Sequence, residues 1–96
     1  MAKQRRRYDV YFKPSAEREL RRLPEDQQRR LVAEIELLAF DPRPERVVKM
    51  AGDGNLWRIR VGRYRVVYEI HDREVEILVL RIGHQKDGYR GKQGRR

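Results

Sequence analysis

The stretch LWRIRVGRYRVVYEI, from Leu56 to Ile70, constrains this chain more than any other. Apolar residues alternate with charged ones on both sides of Gly62-Arg63, and a two-residue loop with glycine first suits a type II′ hairpin turn. That turn sets the pairing. Val61 faces Tyr64, Ile59 faces Val66 and Trp57 faces Tyr68, all apolar or aromatic, so this side is a core face. The other side pairs Arg60 with Arg65, Arg58 with Val67 and Leu56 with Glu69. A slip of one residue would drive the arginines into the core, so the register is strongly specified.

The register has a cost. Like charges directly opposite each other destabilise a sheet, by roughly 0.2–1 kcal/mol. Arg58 adds a third guanidinium to the face, Arg63 sits at the turn, and Glu69 is the one acid on these strands. An ordinary solvent face mixes signs; this one predicts an anion site. Guanidinium forks match phosphate geometry and stay charged at any relevant pH. Three of them in a small patch suit a densely charged phosphate, and a phosphoryl-transfer transition state better than a long duplex backbone. The chain as a whole carries a net charge of +9, which points to nucleic acid or an acidic protein as partner.

The remaining sequence supplies a scaffold. YDVYFK alternates Tyr8, Val10 and Phe12 with polar neighbours, a short strand with one core face. PSAERELRRL reads as a helix with Ser15 as N-cap and Ala16, Leu20 and Leu23 on one side. A longer helix follows, with Pro24 at its first position, Leu31, Ile35 and Leu38 as its apolar stripe and Val32 and Ala39 widening it, stopped by the prolines of DPRP. ERVVKMAGDGN is a connector. Strands are expected at Leu56–Val61, Tyr64–Ile70 and Val75–Ile82. The order β-α-α-β-β-β predicts an α+β fold: a small antiparallel sheet with a two-helix hairpin packed on one face.

At 96 residues the chain is one domain, 1–96, with basic and loosely held ends at 1–7 and 90–96. It has no cysteine, which removes disulfides and thiolate chemistry. No apolar run approaches the roughly 18 residues of a membrane span, and the basic N-terminus lacks the apolar stretch of a signal peptide. A cytoplasmic location without membrane partners is therefore expected. No carboxylate cluster suggests a metal, and no cofactor is expected. His71 reads as a surface turn residue. His84, after Gly83 at the end of the last strand, is better placed for function. Lys49 precedes a turn, from which its side chain reaches either the charged face or simply solvent, and Tyr89 lies in the tail beside Lys86.

RIRVGRYRVVYEI, preceded by VVKMAG and followed by IGHQKDGY, resembles the RelE/ParE superfamily of toxins from prokaryotic toxin–antitoxin pairs, and its RelE branch most of all. The resemblance extends to YDVYFKPSAERELRRLP and FDPRP and so covers nearly the whole chain. It implies a toxin that enters the ribosomal A site and cleaves mRNA by attack of the ribose 2′-hydroxyl on the adjacent phosphate, without a metal, and that is held in check by a cognate antitoxin. It places catalytic residues at Arg58, Arg60, Arg65 and Tyr89. Lys49, Arg63, His84, Gln85 and Lys86 complete the expected RNA-binding set.

Two departures from the family pattern stand out. Gln85 replaces the arginine that usually follows glycine–histidine, and Gly88 replaces a larger apolar residue before the tyrosine. A gyrase-poisoning toxin of the ParE kind, or a weakened toxin that only binds its antitoxin, are the alternatives.

Overall fold

In the computed structural model, residues 7–52 and 54–84 are described. They form β1 (Asp9–Phe12), α1 (Pro14–Arg21), α2 (Glu25–Leu38), β2 (Val48–Lys49), β3 (Leu56–Val61), β4 (Tyr64–His71) and β5 (Glu76–His84). The expected α+β architecture is present. The sheet has five strands in the order β1-β5-β4-β3-β2.

The register of β3 on β4 is the one the turn predicts, with Val61 opposite Tyr64, Arg60 opposite Arg65 and Trp57 opposite Tyr68. Gly62 takes φ 63°, the sign that the first central position of a type II′ turn requires.

Two details differ from the simple antiparallel reading. β1 runs parallel to β5, pairing Asp9 with Glu76 and Phe12 with Val79, so the sheet is mixed. No tight turn joins these two strands, and hence none dictates their relative direction. The connector also contributes a short fifth strand, in which Val48 pairs with Arg58 and Lys49 with Trp57.

The helices begin differently from the expected caps. Lys13, not Ser15, is the N-cap of α1, and Pro14 opens the helix; the fixed φ of proline suits a first turn whose N–H groups lack partners anyway. Pro24 is itself the N-cap of α2, and its carbonyl accepts from the backbone N–H groups of Gln27 and Gln28. The side-chain amide of Gln28 donates to the carbonyl of Leu23 at 2.8 Å, closing the link between the helices. Val75 starts no strand. It sits in the β4–β5 turn at φ 58°, and its N–H donates to the carbonyl of Asp72.

Both helices pack on one face of the sheet. Ala16 and Leu20 of α1 and Leu31, Ile35 and Leu38 of α2 are buried against Ile59, Val61, Tyr64, Val66, Tyr68, Ile70, Ile77, Val79 and Ile82. These are the inward residues of the strands, as two-fold alternation requires. The opposite face of the sheet has no helix upon it among the described residues.

Candidate functional site

The uncovered face is ordered by charge, and the pairing of the strands gives its rows. At one end Arg60 lies opposite Arg65, and Arg65 opposite Gly83. The next row carries Val48, Arg58, Val67 and Arg81. Then follow Leu56, Glu69, Leu78 and Tyr11, and at the far end His71, Glu76 and Asp9. The face thus runs from basic through apolar to acidic.

Alternation in β3 and β4 builds the basic end. Ile59, Val61, Tyr64 and Val66 point into the core, so Arg58, Arg60 and Arg65 between them must point out. Arg60 is exposed, while Arg58 and Arg65 are half-buried. Among the described residues neither Arg58 nor Arg60 has an ion-pair partner; the arginine ion pairs engage Arg21, Arg43, Arg46 and Arg81. Gly83 leaves room beside Arg65, since a Cβ there would meet nothing within 4 Å.

Not every expected residue joins this face. Lys49 lies opposite Trp57 and therefore on the helix-bearing side, with its Nζ 5.6 Å from the centre of the indole ring. His84 is opposite Tyr64 and meets that ring edge-on at 5.5 Å, again on the core side. Arg63 is exposed at the hairpin tip and lines a shallow groove with Asp26, Gln27 and Arg30 at the start of α2. Gln85, Lys86 and Tyr89 lie outside the described residues. Among the described residues, no group of three or more His, Asp or Glu side chains is placed to hold a metal ion.

Arg81 is the residue that the sequence reading missed. Ile77 and Val79 point inward, and simple alternation would send Arg81 after them. A β-bulge intervenes: Tyr68 pairs with Val79 but Val67 with Arg81, so Leu80 is skipped. Ile82 takes the inward position and Arg81 turns outward, exposed.

A second cluster braces the sheet from the side. Asp72, in the β4–β5 turn, accepts from the Tyr8 hydroxyl at 2.7 Å and from both amino groups of Arg43, at 2.8 and 3.3 Å. Hydrogen bonding to Arg43, then to Tyr8, holds the Asp72 carboxyl below its usual range; the same contact raises Arg43 and, with burial, Tyr8. The Arg43 guanidinium also lies 5.1 Å from the centre of the Trp57 ring. Tyr68 donates to the carbonyl of Pro42 at 2.7 Å, and burial raises its hydroxyl pKa. These contacts tie the segment leading into β2 to the sheet and leave the arginine face clear.

Comparison with known proteins agrees with this architecture. Residues 10–89 match the family model described as ParE toxin of type II toxin-antitoxin system, parDE. Toxin RelG of Mycobacterium tuberculosis is 34% identical over 91 residues, covering 86% of this chain and 97% of the relative. Among solved structures, the archaeal RelE–RelB complex from Pyrococcus horikoshii OT3 matches with a TM-score of 0.73 at 29% identity, over 81% of this chain and 94% of that one. The intact E. coli RelBE toxin–antitoxin complex matches with a TM-score of 0.72 at 26% identity, over 80% of this chain and 95% of that one. The chain belongs to the RelE/ParE superfamily and is a toxin of a type II toxin–antitoxin system. Its fold is that of the RelE structures.

Proposed function

We propose that this toxin is a ribosome-dependent mRNA endonuclease. The observation that carries the reading is the cross-strand pair Arg60–Arg65, with Arg58 beside it on a face that no helix covers among the described residues. A fold under selection for stability alone has no reason to place two guanidiniums opposite each other. In the proposed reaction the 2′-oxygen of a ribose attacks the adjacent phosphorus, the bond from phosphorus to the 5′-oxygen breaks, and a 2′,3′-cyclic phosphate remains. The 2′-hydroxyl proton is lost to a base and the leaving 5′-oxygen gains one. The intermediate carries more negative charge than the diester, so fixed cations at this position favour the transition state over the ground state.

The arginines are electrostatic clamps and not bases, because a guanidinium effectively never loses its proton. His84 lies on the other side of the sheet, and Glu69 is hydrogen-bonded to His71 at 2.8 Å, about 13 Å along β4 from Arg65. Ribosomal RNA is left to supply the base. Tyr89 is assigned to stacking on a base or orienting the reacting hydroxyl. Arg63, Gln85 and Lys86 are retained as RNA contacts; Lys49 and His84, on the helix side, serve only if the RNA wraps the sheet edge. The proposed partners are programmed ribosomes with their mRNA, in the cytoplasm, and an antitoxin, as in the RelB complexes that this chain resembles.

The test is incubation with translating ribosomes. Codon-level cuts in translated mRNA, with free RNA left whole, are expected; intact mRNA on active ribosomes sinks the reading. The ParE match favours a second reading, a gyrase poison without chemistry. Gyrase-mediated DNA breaks with protein synthesis untouched would select it. Growth arrest that Arg65→Ala abolishes without loss of fold would exclude a toxin reduced to antitoxin binding.

A further inference from the structure

We infer that Arg81 is a fourth phosphate-binding guanidinium of the arginine face, aimed there by the bulge at Leu80 and held by Glu19 as a positioning residue. The inference rests on the reading above that this face takes RNA phosphate, and three separate observations lead to it.

The first is register. Arg81 lies directly opposite Val67 of β4, which lies directly opposite Arg58 of β3. Arg81 is also the diagonal neighbour of Arg65, because Gly83 is the residue opposite. Diagonal positions are about 7–8 Å apart, within reach of long side chains. Gly83 puts no side chain between them and the space over it is open.

The second is the bulge. Bulges re-aim side chains and occur beside functional sites. This one changes the inward series from Ile77 and Val79 to Ile82 and thereby lifts one arginine out of the core side and onto the arginine face.

The third is the brace. β1 accompanies β5 only as far as Val79, so the edge of β5 beyond it lacks a strand partner among the described residues. Glu19 of α1 fills that place. Its Oε1 accepts from the backbone N–H of Ile82 at 2.7 Å, and its Oε2 accepts from Arg81 Nε at 3.2 Å. A guanidinium has five N–H donors; Glu19 engages one and orients the rest. Arg81 therefore reaches the phosphate next to the one held between Arg60 and Arg65. It strengthens the hold on RNA more than it accelerates the chemical step.

The experiment measures binding of the full chain to ribosomes programmed with a 2′-O-methylated, uncleavable mRNA, beside cleavage of the normal mRNA. Circular dichroism melting follows the fold of each variant. Arg81→Ala is expected to weaken binding about tenfold, the scale of one hydrogen-bonded charged contact at a partly exposed site. It should also lower the slope of log affinity against log salt by about 0.7, the value for one phosphate contact to a single strand. In cleavage, most of the loss should fall on the half-saturating concentration and not on the maximal rate.

Arg81→Lys, which keeps the charge, is expected to recover part of the affinity, and Arg81→Gln none; these two carry the test if the alanine variant does not fold. Glu19→Gln still offers Ile82 an acceptor. It should weaken binding in the wild-type background and have no further effect beside Arg81→Ala. Unchanged affinity and salt slope in a folded Arg81→Ala overturn the inference and leave Arg81 as an ion-pair partner of Glu19 alone. Wild-type binding without cleavage would sink the nuclease reading while the Arg81 comparison stands; no wild-type binding overturns both.

Discussion

Arg60→Ala removes half of a like-charge pair in which each partner lies directly across from the other. Its expected signature is a split between stability and activity. The melting temperature should hold or rise, since the lost repulsion is worth up to about 1 kcal/mol. Cleavage on ribosomes should fall by about 100-fold or more, the usual effect of removing one preorganised charge stabiliser. An ordinary surface arginine would leave cleavage unchanged. Asp72 gives a second, opposite case. Its carboxyl is held below the ordinary value by Arg43 and Tyr8, so its contribution to stability is present above the unfolded pKa, near 3.8. That contribution is lost as pH falls through the lower folded value. Thermal melts from pH 5 to pH 2 should fall further for wild type than for Asp72→Asn, with the variant less stable than wild type at neutral pH.

Arg58, Arg60 and Arg65 were legible because a two-residue turn and strict alternation leave one choice of face. Lys49, His84 and Arg81 were not. Their faces depend on partner strands: Lys49 on pairing with Trp57, His84 on pairing with Tyr64, and Arg81 on a bulge that single-strand periodicity does not contain. A residue's own strand states its parity, but only the neighbour states which parity faces the core.

The same distinction governs the strands and turns. The β3–β4 hairpin could be read to its last pair because its turn is two residues long. The direction of β1 could not, because its partner is separated from it by both helices and three strands. The β4–β5 turn carries an oddity that propensity would never suggest: a β-branched residue, Val75, at φ 58°. The left-handed conformation costs an L-residue roughly 1–2 kcal/mol. Val75→Gly is therefore expected to stabilise the protein by about 1 kcal/mol in urea unfolding, less the small packing of a half-buried side chain. Gly62 is the reverse case. Its φ is 63°, and a Cβ would approach Arg30 Nη1 to 2.8 Å. Gly62→Ala should destabilise by about 1 kcal/mol or more, and Arg30→Ala should recover only the steric part, leaving the backbone strain.

The helix layer and the arginine face lie on opposite sides of one sheet, so stability and anion binding draw on alternate residues of the same strands. The fold class was readable for that reason: core residues recur at helical and strand periods all along the chain, and the charges occupy the gaps. The net charge of +9 works against compaction, because like charges are closer in the folded state. Added salt should therefore raise the melting temperature of the free toxin and weaken its hold on programmed ribosomes, which calorimetry and binding at matched salt concentrations would show together.

The Arg60–Arg65 pair also has a thermodynamic consequence for whatever occupies it. The two guanidiniums are cross-strand neighbours in the free protein, and a polyanion lying across the two strands lowers the repulsion between them. By linkage, any ligand that prefers the folded state stabilises it; here the ligand also cancels an internal penalty. An acidic segment bound over β3 and β4 would act as a folding ligand, and protection against hydrogen exchange should increase first at this hairpin.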